Sequence, residues 1–141
     1  MEIKEATTKE DFLNCWDVVR ELRPHLDLDQ YLTLMLYMLD EGYKMIFIQE
    51  EGKCVSICGY RKTTMLHRGR SIYIDDLCTL AAARGKGHAK ALIEYVINEA
   101  KKDELKSIHL DSGHHRHDAH RLYLNTKFKI TSHHFAREVN E

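Results

Sequence analysis

The chain has 141 residues and a mass of 16.5 kDa, so we expect a single domain over residues 1–141. Lys and Arg total 21 and Asp and Glu total 22, which leaves a net charge of -1 and no basic field for binding nucleic acid. The longest uncharged run in the first half, Gln30 to Leu39, is about half of the roughly 20 residues that a membrane span needs. The polar N-terminus lacks the pattern of a secretory signal. We therefore expect a cytoplasmic protein with no nucleic-acid or membrane partner.

The cysteines contain no CxxC pair, and a chain of this length does not need disulfide bonds. They are Cys15, Cys54, Cys58 and Cys78. We expect reduced thiols. Cys54 and Cys58 lie four residues apart in a strand-like run, so we expect their side chains to share one face of the strand. That spacing would also suit the start of a soft-metal site, but a packed strand face is the favoured interpretation.

The first half of the chain is mainly helical in pattern. A short strand is predicted within residues 1–7, and a capping-box signature at residues 7–11 starts a helix that Pro24 ends. A second helix is predicted over residues 27–42, with an aspartate at its start and a glycine at its end.

From Tyr43 onward the apolar residues recur with a period of two. This pattern predicts two strands joined by a tight turn at Glu51-Gly52. The elements predicted next are a strand over 71–80, a helix beginning close to Gly87, a strand over 107–111, a short helix over 118–125 and a final strand over 128–137. The order β-α-α-β-β-β-α-β-α-β predicts a mixed sheet with helices on both faces.

The most informative segment is a strand that runs into a glycine-rich turn and then into a helix. The turn, residues 84–89, reads RGKGHA. Gly85 and Gly87 allow a ligand to approach the backbone, and the following helix offers free N–H groups and its positive dipole end. With the cations Arg84 and Lys86, the turn suits a pyrophosphate. It lacks the GK[ST] of the Walker motif and the first glycine of the dinucleotide fingerprint.

This turn resembles the acetyl-CoA signature R/Q-x-x-G-x-G/A of the GNAT superfamily of N-acetyltransferases. Arg84, Gly87 and Ala89 occupy its three defined positions. The order of the neighbouring elements is similar as well, so the resemblance covers residues 72–135. It implies a GNAT fold of the α/β (α+β) class, with a mixed, mostly antiparallel central sheet of six to seven strands and helices on both faces.

The resemblance implies acetyl-CoA as co-substrate. The residues implied to contact it are Cys78, Thr79, Leu80, Arg84, Gly85, Lys86, Gly87, His88, Ala89 and Arg116. Residues 78–80 would present backbone groups to the pantetheine arm and the acetyl group, and residues 84–89 would present N–H groups to the pyrophosphate. The amide of Cys78 or Leu80 would polarise the acetyl oxygen. Arg116 stands where many members carry an asparagine.

Acetyl transfer to an amine needs a base for the amine, a polarised carbonyl and an acid for the thiolate. The resemblance places Tyr123 where the family's tyrosine faces the sulfur, so Tyr123 is the candidate acid. Asp76 and Asp111 are equal candidates for the base, acting directly or through a water. Asp75 is expected to point to the opposite face of its strand from Asp76 and to be a solvated residue.

Ten histidines are the only compositional surplus. Four of them crowd one loop and helix start: His114, His115, His117 and His120. The i, i+3 spacing of His117 and His120 can hold a metal, but no Cys or Glu lies at a matching spacing and acetyl transfer needs none. We expect no metal site. His133 and His134 are expected on opposite faces of the final strand.

The expected activity is transfer of acetyl from acetyl-CoA to a primary amine of a small molecule by direct attack in a ternary complex. Residues 116–135 look like the corresponding stretch of aminoalkylphosphonate N-acetyltransferases and of small aminoglycoside-type enzymes. A phosphonate would need basic residues such as Arg20, Arg23 and His25. A polycation would need acids such as Asp27, Asp29, Asp40 and Glu41.

Two other functions are compatible with the same sequence. One is acetylation of protein N-termini or lysines, which requires an open peptide groove. The other is a non-catalytic acyl-CoA-binding module that kept the cofactor site. Homodimers are common in the family that the chain resembles, and residues 130–139 are the candidate surface.

Overall fold

The computed structural model describes all residues 1–141, and the chain forms two compact units, Met1–Leu110 and Asp111–Glu141. The first unit holds one sheet of five strands in the order β1-β2-β3-β4-β5. The strands are β1 (Lys4–Glu5), β2 (Lys44–Glu50), β3 (Lys53–Met65), β4 (Gly69–Thr79) and β5 (Ile108–Leu110). The helices are α1 (Lys9–Leu22), α2 (Leu28–Asp40) and α3 (His88–Lys102), with a 3-10 turn at Ala81–Ala83. The second unit holds α4 (His117–Asn125).

Capping boxes start the first two helices, as their sequences predict. The Thr8 hydroxyl accepts a hydrogen bond from the Asp11 amide at 3.1 Å, and the Asp11 carboxylate accepts one from the Thr8 amide at 3.2 Å. Asp27 and Gln30 form the same reciprocal pair at the start of α2, with both distances 2.8 Å. Each pair satisfies two amides that the helix itself leaves without partners.

The sheet is mixed and mostly antiparallel, as predicted. Strands β1 to β4 pair antiparallel, whereas β4 and β5 pair in parallel. Phe12, Val18 and Met35 of α1 and α2 pack on one face of the sheet, while Leu92 and Val96 of α3 pack on the other. Helices therefore cover both faces. The strand count is five, so the prediction of six to seven was wrong.

The missing strand is the one predicted over residues 128–137. This segment has no regular structure, and Ile130 and Phe135 are 83% and 91% exposed. A strand needs a backbone partner, and the unit Asp111–Glu141 contains no other strand to supply one. The placement of His133 and His134 on opposite strand faces was wrong for the same reason.

The pairing of β2 with β3 contains a β-bulge that places Cys54 and Cys58 on opposite faces of the sheet. Between Ile48 and Gln49 the register shifts, so β3 carries one extra residue. Cys54 then packs in the core beneath α1 and α2, whereas Cys58 packs in the core beneath α3. The prediction of a shared face was wrong, because a bulge resets the alternation of side chains. All cysteines are free thiols, as expected.

None of the helices combines the length and the apolar character that crossing a membrane requires.

Candidate active site

A second β-bulge positions the two acids of β4. Gly59 pairs with Asp76 and Tyr60 pairs with Ile74, so Asp75 is the extra residue. Asp75 and Asp76 consequently line the same cavity. The prediction that they point to opposite faces was wrong, because it assumed an unbroken period of two. Asp75 is also not a solvated residue, since only 20% of its side chain is exposed.

The cavity has a volume of about 410 Å³ and lies in the first unit, against α1, α2 and the strands β2 to β4. Most of its wall is apolar: Val19, Leu22, Leu26, Leu34, Met35, Met38, Met45 and Ile57, with the rings of Tyr31, Tyr43 and Tyr73. Its polar lining residues are Arg23, His25, Asp75 and Asp76. A concave, mainly apolar space with a few polar groups is the usual form of a small-molecule site.

Asp76 is held by two donors on its two oxygens. Arg23 donates from Nε and from a terminal nitrogen to Asp76 Oδ1 at 3.2 and 3.0 Å. The Tyr43 hydroxyl donates to Asp76 Oδ2 at 2.7 Å. Burial, together with the charge of Asp76, raises the pKa of Tyr43 well above its usual value. Tyr43 therefore remains a phenol at neutral pH and fixes the orientation of the carboxylate.

Asp75 is paired with a guanidinium of its own. Arg61 donates from Nε and a terminal nitrogen to the two oxygens of Asp75 at 3.0 and 2.8 Å, the bidentate geometry that favours Arg–carboxylate pairs. Burial raises the pKa of Asp75 and outweighs the opposing effect of Arg61. The formal charges of Asp75, Asp76, Arg23 and Arg61 sum to zero, so this network as a whole is neutral.

Gly59 and Tyr43 were not found by sequence reasoning, and their roles depend on contacts between strands. A Cβ on Gly59 would lie 1.6 Å from the Tyr43 hydroxyl oxygen and 2.3 Å from the ring carbon that carries it. The absence of a side chain at Gly59 therefore allows Tyr43 to reach Asp76. The sequence analysis considered Arg23 only as a candidate for binding a phosphonate, and it did not identify Arg61 as a site residue.

Replacing Gly59 by Ala should displace the buried Tyr43 ring and weaken its hydrogen bond to Asp76. We expect the free energy of unfolding to fall by about 1–3 kcal/mol, as in other overpacked cores, which lowers Tm by roughly 3–10 °C in a chain of this size. Thermal unfolding measures the change. In a Tyr43→Ala background the same substitution should cost much less, because the methyl group would occupy the vacated space. An unchanged Tm in the single variant would contradict the close contact.

The glycine-rich turn has the geometry of an anion site. Gly85 and Gly87 have φ angles of +77° and +85°, which other residues adopt only with strain. Open space lies where their side chains would be. The amides of residues 85–90 donate to no backbone carbonyl. Those of residues 88–90 form the first turn of α3, where a helix leaves its amides without partners. This arrangement fits a pyrophosphate group.

A glutamate at the end of β2 and a carbonyl at the end of β4 hold the basic side chains of this turn. Lys86 Nζ lies 3.0 Å and His88 Nε2 lies 3.1 Å from the same oxygen of Glu50, at the end of β2. These hydrogen bonds lower the pKa of Glu50. Arg84 donates to the Thr79 carbonyl at 3.1 Å. Glu50 was missed by sequence reasoning, because it lies 36 residues before Lys86.

The end of β4 is tied to β3 by hydrogen bonds. The Ser56 hydroxyl lies 2.7 Å from that of Thr79 and donates to the Cys78 carbonyl at 3.3 Å. The Leu80 amide donates to the Val55 carbonyl at 2.8 Å. Both amides considered for polarising an acetyl oxygen therefore belong to the paired part of the sheet, since Cys78 is also in register with Ile57 of β3.

The second unit carries the remaining predicted site residues. Asp111 is 48% exposed and its Oδ1 lies 3.6 Å from His134 Nδ1. Tyr123 is half-buried in α4, with its ring 5.8 Å from Phe128 in an edge contact. Arg116 directly precedes α4, and its carbonyl accepts a hydrogen bond from the His120 amide.

Two of the clustered histidines contact each other in the first turn of α4. The rings of His117 and His120 are 6.1 Å apart, and His120 Nε2 lies 2.9 Å from the Gly113 carbonyl oxygen. No group of three or more His, Cys, Asp or Glu side chains is arranged to hold a metal ion.

The fold and the turn agree with those expected of an acetyltransferase, and comparison with known proteins gives the family. The model of the acetyltransferase (GNAT) family matches residues 6–128. The chain belongs to the GNAT family of N-acetyltransferases, as the turn at residues 84–89 indicated. Acetyl-CoA is the co-substrate of this family.

A sequence relative and several solved structures agree with this assignment. The uncharacterized N-acetyltransferase YhdJ of Bacillus subtilis is 34% identical over 139 residues, which cover 97% of this chain and 98% of YhdJ. The aminoglycoside N-acetyltransferase AAC(6')-Iy, solved in complex with CoA, has a TM-score of 0.85 at 14% identity, covering 98% of this chain and 94% of that one. A ribosomal-protein-alanine N-acetyltransferase from Brucella melitensis has a TM-score of 0.82 at 17% identity, covering 98% and 99%. At these identities the solved structures establish the fold alone.

Proposed function

We propose that the protein transfers the acetyl group of acetyl-CoA to a primary amine of a small molecule, by direct attack in a ternary complex. The observation that carries the proposal is the cavity of the first unit, in which the oriented carboxylate of Asp76 lies in a mainly apolar wall. A mainly apolar cavity of about 410 Å³ that bears a carboxylate suits a small amine. We further propose that residues 1–141 form one acetyltransferase domain.

Binding of acetyl-CoA is assigned to the backbone around the end of β4 and the start of α3. Residues 84–89, with the amides of residues 85–90, would hold the pyrophosphate, and Arg84 and Lys86 would add positive charge. Residues 78–80 would contact the pantetheine arm, and Arg116 would contribute by its place in the family order. Bound acetyl-CoA supplies the reactive thioester.

Asp76 is the proposed base, directly or through a water. It takes one proton from the substrate ammonium, and the amine nitrogen then forms a bond to the acetyl carbon while the carbon–sulfur bond breaks. The nitrogen loses its second proton to solvent as it becomes an amide. An ionised carboxylate can accept about four hydrogen bonds. Arg23 and Tyr43 therefore leave Asp76 able to accept from the amine. Asp111 remains the alternative base.

The departing thiolate needs a proton, and Tyr123 is the proposed donor. A phenol is a reasonable acid for a thiolate of moderate basicity. The role of Tyr123 is supported by its place in the family order, on the helix that follows β5. A backbone amide at the end of β4, within residues 78–80, is the proposed donor to the acetyl oxygen.

Replacing Lys86 by Ala should weaken binding of acetyl-CoA. A charge-assisted contact to phosphate is lost, and because Lys86 is exposed and already paired with Glu50, we expect KM for acetyl-CoA to rise only about five- to tenfold with little change in kcat. Steady-state assays of thiol release measure both constants. Lys101→Ala, at the opposite end of α3, is the matched control and should behave as the parent protein. Equal KM values for the two variants would remove Lys86 from the site.

The proposed function is tested by an amine panel assayed for release of CoA thiol, with a parallel mass-spectrometric screen of acetylated proteins. We expect acetylation of at least one class of small amine. Acetylation of peptides alone would favour the protein acetyltransferase. Binding of acetyl-CoA without transfer to any amine or peptide would favour a non-catalytic binding module.

Two further proposals concern the oligomeric state of the protein and its location in the cell. The exposed apolar side chains of Ile130, Phe135 and Val139 support a homodimer through residues 130–139. Light scattering of the purified chain measures its mass in solution, and a monomer at all concentrations would overturn this proposal. The four free cysteines support a cytoplasmic location.

A further inference from the structure

The cavity that contains Asp76 has a wall whose chemistry restricts the amine. Eleven of its fifteen lining residues are apolar or aromatic, and the polar ones are confined to Arg23, His25, Asp75 and Asp76. Its volume of about 410 Å³ is more than twice the roughly 150 Å³ of an apolar cavity that accepts benzene. There is room for an amine with an aromatic ring or a medium alkyl chain.

The charged groups at the cavity are already matched with each other. Asp76 is bonded to Arg23, and Asp75 is bonded bidentately to Arg61. A phosphonate or carboxylate on the substrate would meet only His25 and the donors that Arg23 leaves unused, and full pairing with Arg23 would take that cation from Asp76, a carboxylate only 16% exposed. That exchange is costly for a partly buried charge. The cavity therefore disfavours anionic amines.

The acids that would suit a polycation lie elsewhere. None of Asp27, Asp29, Asp40 and Glu41 lines the cavity. Asp27 caps α2, and Glu41 lies 3.8 Å from Arg61. A second ammonium group on the substrate would meet mainly aliphatic and aromatic side chains. A sugar with many hydroxyl groups would lose hydrogen bonds to water that this wall cannot replace.

We propose that the acceptor is a primary monoamine with an apolar body, of the alkylamine or arylalkylamine class, whose nitrogen lies at Asp76 and whose body packs against α1 and α2. This inference rests on the proposed function for its reaction. It excludes aminoalkylphosphonates, polyamines and aminoglycosides as preferred substrates. Two properties should follow: a gain in kcat/KM with apolar size, and a penalty for each added charge.

A matched substrate series tests the proposal on the full-length protein. We expect kcat/KM to rise roughly three- to fourfold for each buried methylene from ethylamine to hexylamine, and to be high for 2-phenylethylamine. Addition of a carboxylate, as in phenylalanine, should lower it at least tenfold. Faster acetylation of 2-aminoethylphosphonate, spermidine or an aminoglycoside would overturn the inference and leave the proposed function intact.

A pair of variants on α2 localises the effect. Leu34 lines the cavity and is 44% exposed, whereas Leu36 is 72% exposed and lies outside it. Leu34→Gln should lower kcat/KM for hexylamine about three- to tenfold, with a much smaller change for ethylamine. Leu36→Gln should match the parent protein for both amines. Equal effects of the two substitutions, or of Leu34→Gln on both amines, would overturn the placement of the apolar body.

Binding separates this inference from the proposed reaction. Calorimetry with hexylamine and CoA present measures affinity without turnover, and Leu34→Gln should weaken that affinity. Binding with this dependence but no acetylation would support the amine class and overturn the proposed catalysis. No binding of hexylamine or 2-phenylethylamine, with acetylation of other amines intact, would overturn the amine class alone.

Discussion

Asp76→Asn should lower kcat/KM for acetyl transfer by about 10²–10⁴-fold, the usual contribution of a positioned general base. The amide that replaces the carboxylate is nearly the same size but cannot take a proton from an ammonium. It also breaks the neutral network, since Asn cannot offer acceptors to both Arg23 and Tyr43 while carrying an NH₂ group. The variant should therefore lose catalysis and a smaller part of its stability.

The measurement is the initial rate of thiol release, with Tm recorded for each variant so that lost catalysis is separated from lost stability. Asp17→Asn is the matched control, since Asp17 pairs with Arg20 and Lys53 on the surface. If Asp111→Asn is the inactive variant and Asp76→Asn remains active, the base is Asp111.

Tyr123→Phe should lower kcat by about 10²-fold, within the usual range for loss of a general acid. The substitution removes only the hydroxyl and keeps the ring, including its edge contact with Phe128. KM for both substrates and Tm should therefore change little. A loss confined to kcat is the sign of a group that acts in the transition state rather than in binding.

Tyr37→Phe is the control for this substitution. Tyr37 is 66% exposed on α2 and does not line the cavity, so its variant should keep parent kinetics. Initial rates of thiol release with saturating acetyl-CoA and amine give kcat directly. Unchanged turnover in Tyr123→Phe would remove Tyr123 from the mechanism. A large fall in Tm would instead assign the hydroxyl a structural role.

Much of the fold followed from local chemistry. The capping boxes at Thr8 and Asp27 satisfy helix amides with neighbours three residues away, so their geometry can be deduced without any tertiary contact. The glycine-rich turn is similar, because the left-handed backbone at Gly85 and Gly87 and the start of α3 lie within a few residues. The resemblance to the acetyltransferase family rested on this turn.

The errors came from pairing between strands. An alternating pattern predicts faces only while the register is unbroken, and bulges beside Gln49 and at Asp75 break it twice. Residues 128–137 have strand-like composition, but a strand forms only where another backbone can bond to it. No local signal shows either condition.

The amino-acid sequence by itself determined the helix starts, the anion-binding turn and the acetyltransferase family, because each depends on residues that are neighbours along the chain. Only the tertiary structure showed which groups bond to Asp76 of β4. Arg23 meets Asp76 across 53 residues and Tyr43 meets it across 33, through the gap left by Gly59. Contacts over such distances depend on strand register and helix packing, so the neutral network and the apolar cavity emerge only in the folded chain.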